Sequence, residues 1–284
     1  MCSTTSSTDR PTVGRPWRPC GGSWRKAAVA EGDWQRRGPL LELAPARGRG
    51  ERGPGERGAV GLVEFIGGSY LATTPHISYR RLLEALAARG WLLRAWSYVP
   101  GFDHQSQANE AWRAFRRARE EAPLPGESAV LRLGHSLGCK LHLLAPDNGR
   151  ACSGLAALSF NNFSAERSVP LLSELGQQFG FRSEFSPSPA ETLRQVGLSY
   201  RQPRNLLVRF RGDGLDQSRR LQAVLQERPD DATTLLDLPG DHLTPASAGL
   251  RKQLLGDWAD DPSRQRQIDR LATILSNWIQ PEQG

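Results

Sequence analysis

The stretch from Ser128 to Leu144 constrains this chain more than any other. A run rich in apolar residues, Ala129 to Leu133, enters Gly134-His135-Ser136-Leu137-Gly138 and leaves as a second, helix-compatible apolar run. A serine between a strand and a helix, with glycine two positions to either side, has the Gly-x-Ser-x-Gly spacing of a nucleophile elbow. The spacing has a steric reason. A tight strand-to-helix turn forces the serine into strained backbone geometry, and bulk two residues away on either side would collide with the turn. Gly134 and Gly138 supply the room. The helix that follows directs free N–H groups and its positive dipole end toward charge developing beside the serine. The alternative is a glycine-flanked turn carrying an ordinary serine; the strand before and the helix after weigh against it.

From Ala59 onward the chain alternates strand and helix signals. Ala59 to Ile66 is an apolar run closed by Gly67-Gly68, and Tyr79, Leu82, Leu83, Leu86 and Ala87 recur at helical spacing up to Gly90. Trp91 to Val99 reads as a strand and Ala108 to Glu121 as a charged amphipathic helix. After the elbow come strands at Leu155 to Phe160, Leu206 to Phe210 and Thr233 to Leu238, with helices near Ser218 to Gln226 and Ser263 to Ile279. This order predicts an α/β fold, a mostly parallel sheet with helices on both faces. Its strands read as near-continuous apolar runs, as strands covered on both sides do. Ligands of such sheets bind beyond the carboxyl ends of the strands, where the elbow lies. Between about residues 161 and 203 the alternation lapses. Two short helical patterns there, Leu171 to Phe179 and Ala190 to Leu198, predict a short cap over a pocket, with a plain surface excursion as the alternative.

A serine hydroxyl needs a base, and the base needs an acid to hold its tautomer. Of the five histidines, His135 precedes the serine and is expected to point elsewhere, and His142 sits on the following helix. His76 and His104 lie in loops at strand ends and stay open by position. His242 fits best: it follows the last strand, in Gly240-Asp241-His242-Leu243-Thr244-Pro245, and comes after both the serine and a strand-end acid. That acid is Asp213 or Asp216, in Phe210-Arg211-Gly212-Asp213-Gly214-Leu215-Asp216. Asp213 is preferred, because it is nearer the strand end and flanked by glycines, while Asp216 suits the cap of the helix beginning near Ser218. For an oxyanion hole the Leu137 N–H is one expected donor, and the Gly68 N–H in the first βα loop is the other.

Charge is distributed unevenly. Residues 1–57 hold eleven of the 37 Lys+Arg but six of the 30 Asp+Glu, so they carry most of the net charge of +7. The run Arg47 to Arg57 has too little apolar surface to offset ordering, so residues 1–57 are expected to be a flexible basic Arg/Gly/Pro-rich segment and 58–284 the folded domain. Pro39 to Leu43 is the exception, a candidate edge strand. No aromatics interleave with the arginines between 47 and 57, so the basic balance is not read as nucleic-acid binding. The opening residues resemble either a transit peptide or an over-extended start, and no apolar signal core is present. No run of about 18 apolar residues exists, so no transmembrane segment is expected. Cys2, Cys20, Cys139 and Cys152 have no metal-like or framework spacing, which fits reduced thiols and a cytoplasmic location.

The arrangement from Ala59 to Gln280 resembles the alpha/beta-hydrolase superfamily. Phe65-Ile66-Gly67-Gly68, Phe102-Asp103-His104, the elbow with Cys139-Lys140, Phe210 to Asp216 and Gly240 to Pro245 look more narrowly like an uncharacterised branch of it, found in cyanobacteria and plastids. The resemblance implies Ser136 as nucleophile, Asp213 as acid and His242 as base, with no cofactor and no metal. The second aspartate, Asp216, departs from the wider superfamily, whose acid loop usually ends in an apolar pair before a proline. Phe102-Asp103-His104 is either a pocket-edge element or a local Asp–His pair. The expected function is a serine hydrolase acting on a small-molecule ester or thioester through an acyl-enzyme. The alternative is a non-catalytic hydrolase-like binding or assembly factor, since intact triads also occur in proteins that only bind.

Overall fold

A computed structural model of the chain describes residues 33–45, 59–124, 128–168, 184–246 and 262–280. Eight strands form one sheet: β1 (Gln35–Arg37), β2 (Leu40–Leu43), β3 (Gly61–Ile66), β4 (Trp91–Trp96), β5 (Ala129–His135), β6 (Gly154–Leu158), β7 (Asn205–Phe210) and β8 (Thr234–Leu238). Their spatial order is β1-β2-β4-β3-β5-β6-β7-β8. The pairs β1/β2 and β2/β4 are antiparallel and the rest parallel. From β3 the chain crosses to β4 on one side, then returns past β3 to β5 on the other. That reversal opens a crevice at the carboxyl ends of β3 and β5, the place where open parallel sheets bind ligands.

The helices are α1 (Pro75–Ser78), α2 (Arg80–Ala87), α3 (His104–Glu121), α4 (Leu137–Leu143), α5 (Ala165–Ser168), α6 (Pro189–Ser199), α7 (Ser218–Gln226) and α8 (Pro262–Ile279). Strand parity divides the core. Val63, Phe65, Leu93, Leu131, Leu133, Leu158 and Val208 face α2 and α8. Ile66 and Trp96 face α3 and α4 on the opposite side, and Leu155, Ala157 and Leu207 meet α6 and α7 there. Both sets are apolar because both faces are covered. The mostly parallel sheet with helices on both faces expected from the alternation is therefore present, in the alpha/beta-hydrolase-like layout that the resemblance implies. No described helix is long and apolar enough to cross a membrane.

Two boundaries differ from the sequence reading. The division at residue 57/58 is too late: β1 and β2 lie inside the segment read as flexible, and Leu40, Leu41 and Leu43 are buried beside β4. Alternation in Leu40 to Leu43 is too short to override a basic, glycine-rich neighbourhood; the structure pairs the strand expected at Pro39 to Leu43 and places β1 within Trp34 to Leu43, the part of the segment set apart from the flexible run. The Arg-Gly run at 47–57 lies outside the described residues, as does the first helical pattern of the cap, 171–179. The second is present as α6, closed at its start by a capping box in which Ser188 and Glu191 bond each other's backbone N–H. Helix α3 begins one turn earlier than its apolar pattern, because Asp103 caps it by accepting from Ser106 N–H at 2.8 Å.

Candidate active site

Strand β5 delivers Ser136 onto a turn with φ 55° and ψ −120°, a region that costs a non-glycine residue energy and persists only where its surroundings over-determine it. Ser136 N–H donates to Leu158 O at 2.9 Å, and its carbonyl accepts from Cys139 N–H at 3.1 Å. Both flanking glycines are needed against backbone, which cannot step aside. A Cβ at 134 would sit 2.6 Å from Cys139 N, and one at 138 would overlap the Ile66 carbonyl. The strained serine, 8% exposed, opens into a cavity.

Two further loops converge on it. The loop after β8 brings His242 Nε2 to 3.1 Å from Ser136 Oγ, and the loop after β7 brings Asp213 Oδ2 to 2.8 Å from His242 Nδ1. A carboxylate only accepts, so Nδ1 bears the proton and Nε2 can receive one from the serine. The two loops are fastened by Gly212 N–H donating to Gly240 O at 2.8 Å. A Cβ at 212 would lie 2.8 Å from that oxygen, and Gly240 has φ +133°, so both positions require glycine. The Asp213 side chain is buried. Burial alone would raise its pKa, but the bonds from His242 and from Leu215 N–H (2.8 Å) outweigh it and hold the carboxyl below the usual aspartate value. Asp216 does other work. It accepts from Ser218 N–H and Oγ at 3.1 and 2.7 Å at the start of α7, and pairs with Arg209 Nε at 2.9 Å.

One expected donor is already engaged. Gly68 lies against Ser136, where a Cβ would come within 3.1 Å of the serine Cβ, yet its N–H donates to the buried Tyr79 hydroxyl at 2.8 Å. The reading of the Gly68 N–H as an oxyanion donor is thus corrected: a close approach was inferred rightly, the direction of the amide was not. Tyr79 counted in the sequence only as a member of an apolar helical stripe, so nothing there signalled its hydroxyl. Its Oη also lies 2.8 Å from His135 Nδ1, and His135 Nε2 lies 2.8 Å from the His242 carbonyl. His135, expected to point elsewhere, therefore joins the site from behind. Among the described residues, the N–H groups of Leu137 and Ser69 bordering the cavity have no acceptor.

The cavity has a volume of about 620 Å³ and an apolar lining that includes Leu71, Phe102, Phe163, Phe185, Leu215 and Leu243. Phe102 and His104 belong to its wall, whereas Asp103 caps α3; neither ring nitrogen of His104 is hydrogen-bonded, so the alternative of a local Asp–His pair is not what forms. His104 stacks on Phe185 with ring centroids 4.2 Å apart, and burial pushes its pKa down to about 3. Lys140, one turn after Ser136, is buried and donates to Pro187 O at 2.9 Å. His142 is a core residue bonded to Leu133 O, and His76 packs by Trp34.

A family described as "Protein of unknown function (DUF1350)" matches residues 54–281, which is most of the chain. The chain belongs to that family. Its fold is shared more widely. A monoacylglycerol lipase of Paleococcus ferrophilus superposes with a TM-score of 0.53 at 14% identity, over 84% of this chain and 97% of that one. A butyrate-bound esterase of Thermogutta terrifontis gives 0.54 at 14%, over 90% and 98%. A fluorophosphonate-binding serine hydrolase of Staphylococcus aureus gives 0.53 at 12%, over 85% and 92%. Likeness at such low identity establishes the alpha/beta-hydrolase fold. No protein of curated function matches the sequence.

Proposed function

We propose that this DUF1350 protein is a serine hydrolase that cleaves a small ester or thioester with an apolar acyl group. The observation that carries the reading is the hydrogen-bonded series Ser136–His242–Asp213 opening into an apolar cavity. Ser136 Oγ attacks the acyl carbon while His242 Nε2 takes its proton, and Asp213 holds the imidazole and stabilises the cation that forms. The carbonyl oxygen becomes an oxyanion and accepts from the Leu137 and Ser69 amides, at the amino end of α4 and on the loop after β3. His242 then protonates the departing alkoxide or thiolate, leaving Ser136 acylated. A water deprotonated by His242 releases the acid and restores the hydroxyl. No step calls on a cofactor.

A fluorophosphonate probe tests this directly. Labelling should be lost in Ser136→Ala, with hydrolysis of p-nitrophenyl acyl esters falling on the order of 10⁶-fold and thermal stability essentially retained. Folded wild-type protein that neither labels nor hydrolyses any ester in an acyl-length series would instead support the binding-factor reading.

A further inference from the structure

The hydrogen bonds behind Ser136 have only one consistent polarity. The His242 carbonyl can only accept, so the His135 Nε2 that faces it at 2.8 Å bears a hydrogen. Burial, reinforced by the neighbouring His242, pushes the His135 pKa down to about 3, so the ring is neutral and its Nδ1 is a bare lone pair. The Tyr79 hydroxyl, 2.8 Å from that nitrogen, must then donate to it. Having spent its hydrogen there, the hydroxyl oxygen accepts from Gly68 N–H at 2.8 Å. The series therefore runs from Gly68 N–H to the Tyr79 hydroxyl, to the His135 ring, to the His242 carbonyl. Tyr79 is fully buried and His135 is 1% exposed, so water does not substitute for either. Both rings are held in place, with Tyr79 edge-on to Phe65 at 4.7 Å and to His135 at 5.5 Å. A Cβ at Gly67 would fall 2.7 Å from the Tyr79 ring, so the loop also closes sterically onto the tyrosine.

We propose that Tyr79 and His135 are positioning residues that lock the loop after β3 and the His242 loop to one another across the nucleophile. His135 belongs to the elbow itself, so three loops far apart in sequence are joined by two side chains: the elbow, the loop bearing the Ser69 amide, and the loop bearing the base. Two consequences follow. The Gly68 amide is engaged permanently, which leaves Ser69 to face an oxyanion. The His242 loop, otherwise fixed on its Asp213 side, gains a second anchor through its own carbonyl. The functional meaning of the lock rests on Ser136 being a nucleophile; its existence does not.

Histidine ¹⁵N spectroscopy on the full chain tests the lock without any substrate. His135 should be the Nε2–H tautomer and should not titrate between about pH 5 and 9. The His242 Nδ1 proton, held against Asp213, should give a downfield resonance that broadens in His135→Leu and persists in His135→Gln, whose amide N–H can still reach the His242 carbonyl. In ester hydrolysis, His135→Leu should lower kcat about 10²-fold with little change in KM, and His135→Gln should recover most of it. Tyr79→Phe should move the His135 Nδ1 shift while leaving the Nε2–H tautomer in place, and it covers the case in which His135→Leu fails to fold. An Nδ1–H tautomer, a titrating His135, or an unchanged His242 resonance in His135→Leu would overturn the proposal. A correct tautomer and resonance in a protein that hydrolyses nothing would uphold the lock and refute the hydrolase reading.

Discussion

Two buried polar networks share strands β3 and β5 and are built on opposite principles. At the carboxyl ends lies the neutral series from Gly68 through Tyr79 and His135 to His242, each contact a directed hydrogen bond of 2.8 Å. Further back, a row of charges crosses four strands in register: Glu42 opposite Arg94, Arg94 opposite Glu64, Glu64 opposite Arg132. Arg94 Nε donates to Glu42 at 2.9 Å, but at Glu64 the geometry is loose. Arg119 Nε and Arg132 Nε approach the Glu64 carboxylate at 3.2 and 3.7 Å, yet neither carboxylate oxygen has an aligned hydrogen bond. Burial pushes the Glu64 pKa up, while Arg119, Arg132 and Arg94 pull against it. Arg132 is held more firmly by a two-pronged pair with Asp147 at 2.9 and 2.8 Å. Coulomb attraction tolerates misalignment; a hydrogen bond does not. The row of charges can therefore fix strand register and stability, but only the directed series can hold an imidazole to within a fraction of an ångström.

The comparison predicts that damage at the carboxyl ends is read in turnover and damage to the charge row in stability. The largest effect should come from the acid proposed at Asp213. Asp213→Asn should cost about 10⁴-fold in kcat, because the amide can present an N–H to Nδ1 and favour the wrong tautomer. Asp216→Asn should cost tenfold or less in rate and instead about 1 kcal/mol in urea denaturation, through the lost charge on Arg209 and the lost acceptor for Ser218 Oγ. The reverse ranking would transfer the acid role to Asp216. Next, Glu64→Leu takes the shared carboxylate from Arg119 and Arg132 and should destabilise by about 3–5 kcal/mol, with fluorophosphonate labelling per folded molecule unchanged. A variant that loses labelling while keeping its stability would break the division between the two networks.

Ser69→Pro sharpens the oxyanion assignment. Ser69 opens a 3₁₀ turn, where a proline fits, and Gly68 before it has φ −75° and ψ 162°, the extended conformation that proline requires of its predecessor. The substitution removes an amide hydrogen with little other change and should lower kcat about 10²–10³-fold, against less than about tenfold for Ser69→Ala, which keeps the amide. Full activity in Ser69→Pro would put the second donor elsewhere.

Sequence patterns reached the directed site unevenly, for physical reasons. The meeting of Ser136, His242 and Asp213 was legible because each sits just past a strand, and chain order on a parallel sheet brings strand ends together. Glycines at 134, 138, 212 and 240 were legible as glycines because nothing else fits. Tyr79 and His135 were not: a tyrosine in an amphipathic stripe and a histidine beside a motif have the same spacing whether or not their polar atoms meet. The amide direction at Gly68 is decided by that same hydroxyl, so it was lost with it. Glu64, Arg94 and Arg132 were absorbed into runs read as apolar, since a charge on a covered strand looks like noise until register aligns it with its neighbours. The strand β2, four residues long in a basic context, was too short for alternation to define.

Lys140 tests the smallest difference between the two regions, a buried charge that belongs to neither network. Unlike Arg132, it has no carboxylate within ion-pair distance among the described residues; its Nζ donates to the Pro187 carbonyl at 2.9 Å and sits 5.8 Å from the Phe185 ring centroid. Burial lowers its pKa to about 8, with Glu184 and Glu191 only partly opposing the shift. Below that value the folded protein carries a poorly compensated ammonium. Between about pH 8 and the ordinary lysine value near 10.4, the unfolded chain keeps a proton that the folded chain has released, so this group makes stability rise with pH across the window. Lys140→Met should remove that rise. At pH 7 the variant should lie within about 1 kcal/mol of wild type, because relief of the buried charge offsets the donor lost by Pro187. Urea midpoints at pH 7 and about pH 9.5 measure it: wild type should gain on the variant as pH increases. Parallel curves would mean that Lys140 titrates as an ordinary lysine, and that its ammonium is compensated as fully as the arginines of the charge row.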